Sequence, residues 1–217
     1  MSRIPVRSIA VLSLIVLWGC ASNPPVRRVW VAPRIDLKPY EIIGMVEFTS
    51  ASKGKLAALT TRRFAEAARR DQDMVRMVDV GPKQAALASV GLDRWNPESC
   101  RAVGRKHGVR TMFHGTLTLS GVRPSVQISA LFRSGQVTAQ VDATLEVEMI
   151  EAETGASIWS RSASATRTVG QVSVFGGKDF VFDADDPERA YGDLVDFLVA
   201  RVAADLLRQR CGGFQHR

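Results

Sequence analysis

Between Val141 and Met149 the chain alternates with a strict period of two. Val141, Ala143, Leu145, Val147 and Met149 are apolar, and Asp142, Thr144, Glu146 and Glu148 stand between them. Successive side chains of a strand point to opposite faces, so this pattern specifies a strand with one buried and one wet face. Glu153-Thr154-Gly155 then makes a tight turn, and a further strand is expected from Ala156 to about Thr168. Upstream, Val126–Phe132 and Gln136–Ile150 read as strands joined at Ser134-Gly135, which completes a β-meander.

The first half has a different rhythm. Glu41–Phe48 is a nearly continuous apolar run, as in a strand covered on both faces. Lys53–Arg70 carries Leu56, Leu59, Phe64 and Ala67 at helical spacing. Met74–Val80 returns as a strand, Gly81-Pro82 breaks it, and Pro82 starts a short helix. Asn96-Pro97 repeats that start signal, with Asn96 as the cap of a helix ending near Gly108. Val109–Ser120 is the next strand, and residues 170–186 form a Gly- and Asp-rich loop. Pro187–Arg210 closes the chain as a long amphipathic helix, with Tyr191, Leu194, Val195, Leu198, Val202 and Leu206 on one face. The expected fold class is α/β: a mixed β-sheet with flanking helices, a β-meander in the second half and a long C-terminal helix.

The N-terminus carries a separate message. Arg3 and Arg7 precede an apolar run from Ile9 to Trp18 that only Ser13 interrupts. A basic start, a short apolar core and a small residue at the cut describe a secretory signal, and the run is too short for the roughly 20 residues of a membrane-spanning helix. Leu17-Trp18-Gly19-Cys20 resembles the lipobox of bacterial lipoproteins, in which the cysteine is acylated and becomes the mature N-terminus. Trp18 is bulkier than that motif's usual residue. By the same resemblance Ala21, rather than Asp, after the cysteine implies the outer membrane. The expected organisation is a signal peptide at 1–19, a proline-bearing lipidated tether at 20–40, a periplasmic domain at 41–210 and a tail at 211–217.

Twenty-nine basic against 22 acidic residues give a formal charge of +7, but the basic residues are scattered. A nucleic-acid reader needs a coherent basic face, so no nucleic-acid partner is expected. Arg62, Arg63, Arg69 and Arg70 read as a solvated helix face, or as a contact for anionic lipid or a cell-wall polymer. Cys100 and Cys211 are an even pair in an oxidising compartment, hence a candidate disulfide; unpaired thiols are the alternative.

The strand Ile42-Ile43-Gly44-Met45-Val46-Glu47-Phe48, the segment Val109 to Gly115, and above all Leu145 through Thr154-Gly155 to Trp159-Ser160 carry a family likeness. From about Tyr40 to Arg208 the layout resembles the periplasmic domain shared by CsgG-type secretion lipoproteins and LpoB-type activators of penicillin-binding proteins. The amino-terminal domain of TolB is a more distant relative in fold. The LpoB-type likeness implies a tethered domain that docks on an envelope protein. The CsgG-type likeness implies an oligomeric outer-membrane pore, which needs strands with an unbroken lipid-facing apolar side. Ser157–Val169 offers Ser157, Trp159, Arg161, Ala163, Ala165 and Arg167 on one side, and Ile158, Ser160, Ser162, Ser164, Thr166 and Thr168 on the other. Neither is an apolar band, and Pro124 interrupts Val122–Phe132.

Motifs for chemistry are not found. His107, His114 and His216 lack partners at metal-ligand spacing. There is no Gly-x-Ser-x-Gly elbow and no phosphate loop. Asp183, Asp185 and Asp186 lack the ladder of a calcium loop and read as an acidic lead-in to the last helix. The expectation is a non-enzyme with no metal and no cofactor beyond the lipid on Cys20, with Phe175, Phe180 and Phe182 as a candidate docking loop. An adaptor in envelope assembly or cell-wall synthesis is the leading reading, and a subunit of an oligomeric pore is the alternative.

Overall fold

Ile42–Glu47 sits at the centre of the domain, buried from both sides as its apolar run requires. The structure, a computed structural model, describes residues 28–72, 74–127, 136–170, 173–175, 179–182 and 185–212. The signal peptide and Cys20 lie outside them. Residues Ala32–Gln209 form one unit. The strands are β1 Arg28–Val31, β2 Ile42–Glu47, β3 Thr49–Ser50, β4 Lys53–Gly54, β5 Arg76–Pro82, β6 Thr111–Gln127, β7 Gln136–Glu151, β8 Ser157–Gly170, β9 Ser173–Phe175, β10 Asp179–Phe182 and β11 Gln209–Gly212. The helices are α1 Leu56–Arg70, α2 Lys83–Ala88, α3 Pro97–His107 and α4 Pro187–Val202. The α/β class and mixed sheet are as expected.

The main sheet runs β5-β2-β6-β7-β8, with β3 added beside β6. β2 is parallel to both β5 and β6, whereas β6, β7 and β8 are antiparallel. The crossover from β2 to β5 and the crossover from β5 to β6 run across the sheet in opposite directions. Right-handed connections therefore put α1 on one face and α2 with α3 on the other. Two cores result. Beneath α1 and α4, Phe64 packs 5.5 Å from Phe48 and 5.2 Å from Phe113, ring centre to ring centre. The alternating residues Val141, Ala143, Leu145, Val147 and Met149 complete this core. Beneath α2 and α3, Val46, Val80, Val103, Met112 and Ile150 form the second.

Local chemistry fixes several joints. Asn96 caps α3 by accepting from the Ser99 amide at 2.9 Å, and Ser99 Oγ accepts from the Asn96 amide at 2.9 Å. Such a reciprocal cap satisfies two orphan donors. At the β7–β8 turn Gly155 has φ +72°, and a Cβ there would lie 2.8 Å from Pro97 Cα. Only glycine fits both demands. Arg62 and Arg63 of α1 both bond Glu188 of α4, so half of the expected solvated arginine face is an interhelical clamp.

The sequence reading needs four amendments. The tether expected to Tyr40 ends earlier, because Leu37 is fully buried. The Leu37 amide donates to Gln72 Oε1 at 2.9 Å, and Gln72 Nε2 donates to the Ile35 and Leu206 carbonyls, both at 2.8 Å. The expected break between Val109–Ser120 and Val126–Phe132 is a register shift between Ser120 and Arg123 within one strand, β6. That shift is how Pro124, which has no amide hydrogen, is taken into the ladder. The last helix stops at Val202; Ala203–Leu206 tightens into a 3-10 turn and Gln209–Gly212 is β11. β1 and β11 form a two-stranded ribbon in which Trp30 and Val31 are exposed.

Candidate functional site

α2 and α3 cover their side of the sheet over β5, β2 and the start of β6, where Val80, Met112 and Ile150 meet them. Past that point the wet face of β6, β7 and β8 has no helix above it among the described residues. Strand register arranges its side chains in rows. His114, Glu148 and Ser160 stand side by side, then Thr116, Glu146 and Ser162, then Thr118, Thr144 and Ser164, then Ser120, Asp142 and Thr166. The alternation of β7 and the even-numbered hydroxyls of β8, both legible in the sequence, produce this grid of hydroxyls crossed by a line of carboxylates.

The rows are partly cross-linked. Thr144 and Ser164 hydroxyls lie 2.8 Å apart, and Thr166 Oγ1 donates to Asp142 at 2.6 Å. Arg123 Nη2 reaches both Asp142 oxygens at 3.1 Å, one nitrogen shared between them in the exposed part of the face. Glu146, by contrast, is exposed and has no hydrogen-bond or ion-pair partner among the described residues. It borders a shallow cavity of about 460 Å³ between His114, Thr116, Glu148, Ser160 and Ser162.

One aromatic corner borders the grid. Trp95 meets the His114 ring edge-on at 5.8 Å, and Lys83 Nζ lies 5.1 Å from the centre of the Trp95 ring. His114 Nε2 is 3.1 Å from Glu148 Oε2. Burial lowers the His114 pKa, and nearby Lys83 acts in the same direction while Glu148 opposes them. Neither Trp95 nor Lys83 stands out in the sequence; the corner forms only because α2 and the loop before α3 converge on β6.

On the far side of β8, Asp205 is pinned. Its carboxylate pairs with Arg161 and accepts from Trp159 Nε1 at 3.4 Å, and Trp159 packs at 90° on Phe113. The Arg161 hydrogen bond, with help from Trp159, holds the Asp205 carboxyl below its ordinary range despite burial. Trp159 thus supplies buried area, as expected of the strand after the Thr-Gly turn.

The residues singled out from the sequence fall elsewhere. Cys20 lies outside the described residues. Cys100 is a free thiol, 3% exposed, on the inner face of α3 with Val103. Cys100 packs into the second core, and the side chain of its expected disulfide partner, Cys211, lies outside the described residues. Burial pushes the Cys100 thiol pKa up. The Gly- and Asp-rich loop contains β9 and β10, which pair with each other, and β10 runs parallel to β4. Phe175 stands opposite Asp179 and Phe180 opposite Val174 in this register, with Phe182 opposite Gly54; their side chains lie outside the described residues. The docking segment is thus strand rather than loop in its backbone. Asp186 caps α4 by accepting from the Arg189 amide at 3.2 Å, which is the expected acidic lead-in.

No family model matches the chain, and no curated protein matches it. Solved structures similar to it include the PelC dodecamer of Paraburkholderia phytofirmans, 12% identical, covering 82% of this chain and 95% of that one, with a TM-score of 0.44. The C-terminal domain of LpoB from Salmonella enterica is 14% identical over 73% of this chain and 94% of that one, with a TM-score of 0.37. Lipoprotein GNA1162 of Neisseria meningitidis is 16% identical over 58% and 83%, with a TM-score of 0.35.

Proposed function

We propose that this chain is an outer-membrane-anchored periplasmic lipoprotein that acts without catalysis, docking the open β6–β7–β8 face on a protein partner in envelope assembly or cell-wall synthesis. The observation that carries the binding role is the grid itself: a helix-free sheet face with an unpartnered Glu146 at its centre. Carboxylates at 142, 146 and 148 suit a partner surface that presents lysine or arginine. Anchoring rests on the basic start, apolar core and Leu17-Trp18-Gly19-Cys20 of the N-terminus. No helix among the described residues is long and apolar enough to cross a membrane; in this reading acyl chains on Cys20 supply the anchor. The Gln72 clamp on Ile35 and Leu37 fixes the first residues of the domain itself.

Two variants test the two halves. Cys20→Ser should move the protein from the membrane to the soluble fraction. The Glu146→Lys/Glu148→Lys double variant should keep its membrane anchor and melting temperature and lose partner crosslinking at least tenfold. Crosslinking that survives the charge reversal would overturn the assigned face.

A further inference from the structure

We propose that two copies of this chain associate by pairing their β8 strands edge to edge, antiparallel, so that their two main sheets become one. This goes beyond the docking face and does not depend on it. Among the described residues β8 is the outermost strand of the main sheet, paired to β7 on one side only. It has 14 residues, about 46 Å of strand at roughly 3.3 Å per residue. Native edges are normally blunted by proline, lysine, bulges or brevity. From Ser157 to Gly170 there is no proline and no lysine, and the one register shift lies at the strand's first turn of pairing, opposite Met149 and Ile150. The arginines are engaged on the α4 side, Arg161 with Asp205 and Arg167 over the Phe197 ring at 4.6 Å.

The other edge of the sheet is blunted. β5 has seven residues, ends at Pro82 and carries a register shift at Gly81, where φ is +81°. A head-to-tail β8-to-β5 contact therefore meets a poor template, which leaves β8 to pair with its own copy in a two-fold, isologous contact.

The sequence of β8 is self-complementary in that arrangement. Centring the two-fold on Ala163 puts Ser162 opposite Ser164, Ser160 opposite Thr166 and Ile158 opposite Thr168. It also sets Arg161 against Ala165 and Trp159 against Arg167. Hydroxyl pairs across strands are favourable, and like charges directly opposite are not. Centring on Ser164 would oppose Arg161 and Arg167, a clash that the Ala163 centre avoids. The wet faces of both copies then run on as one hydroxyl-rich surface. Shared membrane anchoring raises the local concentration that such a contact needs.

Disulfide crosslinking of the full-length, membrane-bound chain with Cys211→Ser tests the register. Ala163→Cys should give a homodimer at least tenfold more than Thr168→Cys, which this register places about 33 Å from its symmetry mate. Adding Ser162→Lys/Ser164→Lys to Ala163→Cys should remove the dimer at least tenfold, with the thermal transition retained. Equal crosslinking at 163 and 168, a detergent-extracted mass of one chain, or a crosslink at 163 to a different polypeptide would each overturn self-pairing. If the lysine variant fails to fold, the comparison of 163 with 168 still decides.

Discussion

Gln72 is the perturbation whose cost follows most directly from the structure. Its side chain is 4% exposed and makes three bonds of 2.8–2.9 Å, to the Leu37 amide and to the carbonyls of Ile35 and Leu206. Gln72→Leu keeps the volume and strands all three backbone groups. Each buried group left without a partner costs about 1–3 kcal/mol. Residues 35 to 37 lie near the start of the domain and regain water by peeling away, so the lower part of the range applies, a total of about 3 kcal/mol. Against a whole-domain stability of about 5–15 kcal/mol this is severe, and for a domain of this size it lowers the melting temperature by roughly 6–12 °C. Circular dichroism melts of the full chain measure the shift, and limited proteolysis should show faster cutting between Ile35 and Tyr40. A melting temperature within 2 °C of the parent, with unchanged proteolysis, would refute the idea that this amide holds the start of the domain in place.

Other outcomes follow from single sites. Gly155→Ala meets both a positive φ and Pro97, and should cost about 1–3 kcal/mol in a chemical denaturation curve. The Asp205 carboxyl is held low by Arg161, so its contribution is present above the ordinary carboxylate range and is lost as pH falls through that range toward the folded value. Asp205→Asn should flatten the acid limb of the stability profile in melts from pH 2 to 6. The raised pKa and burial of Cys100 should make its alkylation in the native protein at least a hundredfold slower than in denaturant, read by peptide mass mapping.

Local patterns in the sequence translated well. The alternation of 141–149 became the two-faced β7, Asn96-Pro97 became a reciprocal cap, and Thr154-Gly155 became the turn. What escaped depends on contacts between distant residues. Pro33 and Pro39 mark residues 32–40 as tether, yet Leu37 is core because Gln72, 35 positions away, supplies its missing partner. β10 is a strand because Lys53 and Gly54 lie beside it, a pairing no local window contains. The docking face was half visible: the hydroxyl parity of β8 and the carboxylates of β7 could be read, but their rows needed the strand register. Trp95 joins the site only through tertiary packing.

If a protein partner sits on the open face of β6, β7 and β8, photocrosslinking in intact cells finds it there, with the probe placed at Glu146, at Thr118, or at the exposed α4 position Asp193 as control. Crosslinks to one envelope protein are expected from 146 and 118 and none from 193. Crosslinks from 193 with silence at 146 and 118 would contradict that placement.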